Sequence, residues 1–340
     1  MTNFTMKDIY HKLSLIGLKK KKVNECMPDW WLENYKEITK TEAGIQETLW
    51  RIANNFSIDF GSLIESFSEE NKKPTFIFGS HHLFKHSQNL SETELQPAVS
   101  VAMFIAKNTI KIYEKPLADL SNLTALSIRE HLLKNAKWVD FETLLNYVWS
   151  LGIPVIFSSN IPPKKMDGLA LKIQDRPVIV LTKGRTHGYL VFDLAHELGH
   201  IVLGHLNQSK MIVDEKINAN DTETEILEQQ ADEFALELLT GVGNTKFVTK
   251  KHYSSIIGLS QAVLKKANEC HIDPLHIVLN YGHASGQFPL ANKALSYLVT
   301  QLDLKKTDQQ IAYEYYLNNI NFDDFDDEEI ILNIIGQAKK

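Results

Sequence analysis

The sequence predicts an α+β fold, mostly helical, with one small sheet packed on a buried helix. Three observations carry that prediction. Apolar side chains recur at helical spacing in many segments of the 340-residue chain. Two β-rich runs, 168–173 and 177–182, flank the short polar turn Gln174-Asp175-Arg176, which reads as a hairpin. Just after it, Asp193-Leu194-Ala195-His196-Glu197-Leu198-Gly199-His200 lies between Tyr189-Leu190-Val191-Phe192 and Ile201-Val202-Leu203, apolar flanks that imply a buried helix. Two histidines and an acid on a buried helix need a chemical reason.

Taken in order, residues 1–70 read as helical, with apolar Ile9, Leu13 and Ile16 ending at Gly17. The lysine run 19–22 reads as a solvated turn, and Met27-Pro28-Asp29-Trp30-Trp31 as a break. A helix over 42–55, followed by 57–63, resembles a helix-turn-helix, which makes DNA a candidate partner of this region. Against DNA, residues 1–70 hold nine Lys/Arg and eleven Asp/Glu, where a DNA reader needs a basic face. Residues 71–120 are expected to be a linker and a helix, with His81, His82 and His86 as surface histidines and helices near 95–112 and 120–135. A third domain-sized stretch, 121–245, includes a helix from Phe141 that ends at Gly152 and leads into a strand over 153–157. A loop with Pro162 and Pro163 then leads to the hairpin. After His205 a long polar loop, 207–224, precedes a strongly periodic helix over 226–239. Residues 246–340 are expected to be a helical C-terminal region, and the acidic run 323–329 suits the positive end of its last helix better than a calcium site.

Composition narrows the class. At 44% hydrophobic and 23% charged, with net charge −6, the chain has no global attraction to nucleic acid or acidic lipid. Cys26 and Cys270 are too far apart for a C-x-x-C metal site and suit a reducing compartment. No signal peptide or membrane-length apolar run is recognisable, so the expected location is the cytoplasm, without membrane contact.

The chemistry gathers on His196-Glu197-Leu198-Gly199-His200, an H-E-x-x-H pattern. Residues four apart share a helical face, so His196 and His200 can reach one ion. Glu197 is about 100° round the helix from His196, placed to take a proton from a water beside the metal rather than to bind the metal. Zinc is the expected cofactor, as one ion; another divalent ion such as Mn2+ suits the same donors. A third ligand is required. His205 is out of register, because a third histidine in the metzincin arrangement would fall at Leu206, with glycine at Leu203. It is also about 140° round from His200 and reads as a helix-end or supporting histidine. Glu228 is the better candidate: with Ala231, Asp232 and Ala235 it forms one stripe, and the alanines allow close approach to the first helix at Gly199. Asp232 can then accept the free N–H of a ligating histidine. The plainer alternative is a charged surface face, since Glu223, Glu225 and Glu233 are also acids.

These residues, together with Gly168-Leu169-Ala170, Val178-Ile179-Val180-Leu181 and Phe234-Ala235-x-x-Leu238-Leu239, resemble the ImmA/IrrE family of metallopeptidases across about 125–245. The resemblance implies a zincin-like domain of gluzincin layout, with His196, His200 and Glu228 as metal ligands and Glu197 as the base. It also implies a protein substrate, often a helix-turn-helix repressor, in prophage induction, a stress response to DNA damage or phage defence. Thr240-Gly241 departs from the Met-Pro that commonly follows the double leucine, and touches no ligand. The N-terminal region weakly resembles the Xre-like segments fused to some of these peptidases. A donor for the oxyanion is also needed; His187, Tyr189, Arg185, His252 and Tyr253 are candidates among which sequence does not choose. The competing expectation is a regulator that keeps the metallopeptidase fold but binds DNA or protein without cutting. The intact Glu197 weighs against it.

Overall fold

The computed structural model describes residues 5–78, 83–84, 92–161, 166–182, 184, 187–207, 211–214, 222–249, 253–323 and 328–336. His81, His82, His86, Pro162, Pro163, Arg185, His252 and residues 324–327 of the acidic run therefore lie outside the described residues. The fold is α+β and mostly helical, as expected.

Its centre is the hairpin of β3 (Gly168–Ile173) and β4 (Arg176–Leu181), antiparallel from Gly168↔Leu181 to Ile173↔Arg176. Gln174 and Asp175, both at positive φ (49° and 66°), form the two-residue turn whose twist suits a hairpin. β2 (Val155–Phe157) runs parallel to β4. On the other side, β5 (Met211–Asp214) runs antiparallel to β3, and β1 (Leu83–Phe84) runs parallel to β5. The strand order is β1-β5-β3-β4-β2. β5 corrects the expectation of an uninterrupted loop over 207–224. Backbone pairing with β3 orders this strand, whose partner lies some forty residues earlier and whose four residues make no periodic signal of their own.

α9 (Leu190–Val202), which carries both histidines, packs on β3 and β4, and so does α6 (Glu92–Ile112). Leu169, Ala170, Leu171 and Val178 through Leu181 are all buried, as strands covered on both faces must be. α10 (Thr222–Thr240) lies against α9 and α7 (Ala125–Leu133). α8 (Phe141–Ser150), started by Asp140 accepting the Thr143 N–H, also packs on α9.

The N-terminal segment holds α1 (Met6–Ser14), α2 (Lys20–Glu25), α3 (Asp29–Ile38), α4 (Glu42–Asn55) and α5 (Phe60–Glu65). Two of these correct the sequence reading. The lysine run is largely helix α2, because Val23 is buried in the core and Lys22 pairs with Glu25 one turn on. The supposed break is the start of α3, with Pro28 as its first flanking residue; buried Trp31 donates its indole N–H to Thr48 on α4.

After α10 come α11 (Ile256–Cys270), α12 (Pro274–Ser285), α13 (Phe288–Gln301), α14 (Asp308–Asn319) and α15 (Glu328–Ile335). One buried cluster runs from Ile9 to Ile335 through β3, β4 and α9, and a second joins Leu259, Val263, Val278 and Leu298 of α11–α13. Among the described residues, no helix is long and apolar enough to cross a membrane.

Candidate metal centre

His196 and His200 lie one turn apart on α9, and their Nε2 atoms are 3.0 Å apart. From α10, Glu228 brings Oε2 to 3.2 Å from His196 Nε2 and Oε1 to 3.5 Å from His200 Nε2. All three residues are buried, and among the described residues this is the one group of three or more such side chains with ligand atoms close enough for a single ion. The third ligand expected from the α10 stripe is thus brought to the two histidines.

Ligand atoms at ~2.0–2.1 Å from a tetrahedral zinc stand roughly 3.3 Å from one another. The Nε2 pair at 3.0 Å, with one Glu228 oxygen 3.2 Å from His196 and the other 3.5 Å from His200, lies near that value, so the residues present fit a zinc ion. The electrostatics agree. Burial opposes charge on Glu228, but His196 and His200, whose Nε2 atoms face its oxygens, outweigh it and hold the carboxyl well below the usual range.

The helix pair closes as the alanine stripe implies, with one addition. Ala231 and Ala235 are fully buried, and a Cβ on Gly199 would stand 3.1 Å from Phe234 Cδ1, so the ring of Phe234 occupies the space opened by this glycine. Asp232 Oδ1 lies 2.9 Å from His196 Nδ1. A carboxylate only accepts, so His196 donates from Nδ1, which leaves Nε2, on the side of Glu228 and His200, as the atom that would face an ion. Phe192, tilted against the His196 ring, stacks on buried His276 of α12 at an interplanar angle of 10°.

Two neighbours of this group carried no sequence signal that identified them. The start of β3 passes so close to Glu197 that a Cβ on Gly168 would lie 2.3 Å from its Oε1; only a bare backbone fits beside the carboxylate. Gln230 accepts from His205 Nε2 at 3.0 Å, while His205 Nδ1 lies 2.9 Å from His200 Nδ1. Burial, and then the nearby His200, push His205 down to about 4, so this imidazole is neutral near pH 7.

The described oxyanion candidates have partners of their own. Tyr189, seven residues before His196, donates its hydroxyl to Asn292 of α13 at 2.9 Å. His187 meets the backbone of Lys306, and Tyr253 packs edge-on against Tyr281.

A buried His–His–Glu donor set with a glutamate beside the first histidine defines a centre of metallopeptidase type. Residues 150–240 match the family model Peptidase_M78, the IrrE N-terminal-like domain, in agreement with the resemblance read from the motifs. The match spans β2, β3, β4, α9, β5 and α10. No curated protein matches the chain.

Proposed function

We propose that the chain is a zinc-dependent endopeptidase that cuts a protein substrate, a partner transcriptional repressor of helix-turn-helix type, in a stress, prophage or phage-defence response. The observation that carries the peptidase reading is the convergence of His196, His200 and Glu228 within a peptidase-family domain that also retains Glu197. The choice of a repressor rests on the ImmA/IrrE resemblance.

His196, His200 and Glu228 would hold the ion, which supplies water acidity near neutral pH and polarisation of the scissile carbonyl. The rest is the work of this chain's residues. Glu197 takes the proton of the attacking water on its carboxylate and returns it to the leaving amine nitrogen. Gly168, having no side chain, leaves that carboxylate its place beside β3. Asp232 keeps the His196 proton on Nδ1, so that Nε2 stays a donor of electrons. The burial of all four principal side chains limits competing water and strengthens their charges.

The test is co-expression with a small helix-turn-helix repressor encoded beside the gene, followed by mass spectrometry. The expected result is one new pair of termini in the repressor, absent when the Glu197→Gln form replaces the wild type. Cleavage that persists in Glu197→Gln overturns the role of Glu197. An uncut repressor, with tight DNA retention by the chain at low salt, overturns the peptidase reading in favour of a binding regulator.

A further inference from the structure

His196 and His200 are held from behind by different devices. His196 has the carboxylate of Asp232 at its Nδ1. His200 has another imidazole: its Nδ1 faces His205 Nδ1 at 2.9 Å, and His205 Nε2 faces Gln230 Oε1 at 3.0 Å. Unlike the Nε2 atoms of His196 and His200, which share Glu228 and the position of an ion, these two nitrogens are partners to each other, so one proton lies between them.

Donor and acceptor rules decide where that proton sits, and they can be followed from both ends. For His200 to offer the Nε2 lone pair to an ion, its proton must be on Nδ1. His205 Nδ1 must then accept, so a neutral His205 carries its proton on Nε2. Its partner must be an acceptor, and the group facing it is the amide oxygen of Gln230. Starting from Gln230 gives the same sequence in reverse. We propose that His205 and Gln230 form a neutral relay that sets the proton of His200 on Nδ1 and turns Nε2 towards the metal, making both of them positioning residues of the centre.

The relay adds no charge behind His200, whereas Asp232 places a carboxylate behind His196. It also explains a histidine that fails the register of a ligand yet is buried: His205 sits at the start of a short 3-10 turn, His205–Asn207, which directs its ring back to His200. Gln230 is on the same α10 helix as Glu228 and Asp232, so one helix supplies a ligand and the supports for both histidines.

This inference rests on the reading of His196, His200 and Glu228 as metal ligands, and its test separates the two. Gln230 is exposed, so Gln230→Met removes the acceptor at little cost to the core. Its neighbour Gln229, also exposed, serves as a control through Gln229→Met. Zinc affinity of the full chain is measured by competition with a chromophoric chelator, and imidazole tautomers of the zinc-loaded protein by 15N NMR, with the His205 signal identified by its loss in His205→Phe. Loss of a hydrogen-bonded support behind a ligating histidine typically weakens binding ~10–100-fold, the expected effect of Gln230→Met, with Gln229→Met unchanged. His205 is expected with its proton on Nε2. Wild-type affinity in Gln230→Met, or a proton on His205 Nδ1, overturns the relay. A wild-type chain that takes up no zinc overturns the ligand reading itself.

Discussion

Asp308, the first residue of α14, accepts the backbone N–H of Gly188 at 2.8 Å, across 120 residues of chain. α9 has no side-chain cap at Tyr189, so this carboxyl from the C-terminal region serves the start of the helix that bears His196 and His200. A distant helix thereby fixes the entry of the metal-binding helix.

That contact makes stability depend on pH. Burial, joined by the charge of Asp140, raises Asp308 to about 7. Burial likewise raises Asp273 to about 8, with Asp140 and Asp308 adding to it. Both values lie above the unfolded value of 3.8, so the folded state holds more protons in between. Their contribution is complete below pH ~4 and is lost as pH rises through 7 and 8. Denaturant midpoints of the metal-free protein should fall between pH 6 and 9. Asp273→Asn, which retains a capping oxygen for Leu275, should flatten the fall. A midpoint that climbs with pH, or an unchanged slope in the variant, contradicts the assignment.

Asp232 offers a cleaner test of ligand support, because its side chain is 52% exposed and its loss leaves the core intact. Asp232→Ala should lower zinc affinity ~10–100-fold at unchanged thermal stability of the metal-free protein. Chelator competition together with calorimetry reads both quantities.

Gly168→Ala places a methyl where Glu197 Oε1 now sits, at 2.3 Å. The carboxylate must move, and misplacement by about 1 Å costs ~100-fold in turnover. Zinc content should be unchanged, since no ligand is touched. Equal cleavage rates for the two proteins would show that Glu197 has slack the structure does not reveal.

Arg129 of α7 ties two helix ends together. Its guanidinium donates to the carbonyls of Leu238 and Leu239 at the end of α10 and of Cys270 and His271 at the end of α11. Arg129→Ala leaves these acceptors without their cation and should cost about 2–4 kcal/mol in urea unfolding. Lysine cannot fork to both ends, so Arg129→Lys should recover less than half.

Ion binding should stabilise the fold through Glu228. With zinc at about 100 times its Kd, the folded state gains ~2.7 kcal/mol, seen as a rise in thermal midpoint that a chelator reverses. Glu228→Gln should abolish most of the rise. A full rise in that variant would move the third ligand elsewhere.

The sequence by itself determined the hairpin, the α9 helix and the donor types, because these are local. Two apolar runs bounded by a polar turn mark β3 and β4, and four-residue spacing puts His196 and His200 on one face. The α10 stripe of Glu228, Ala231, Asp232 and Ala235 was legible for the same reason: its residues share a face whatever the helix packs on. Helices α2 and α3 were not legible, since the burial of Val23 and Trp31 outweighs a lysine run and a proline, and burial is set by distant partners such as Thr48. β5 depends on pairing with β3. The same limit applies at the centre. Only the tertiary structure decided that Gly168 stands against Glu197, that Gln230 lies behind His205, and that Asp308 caps α9. Each is a contact between segments far apart in the chain, and periodicity carries no information about which helix face meets which partner.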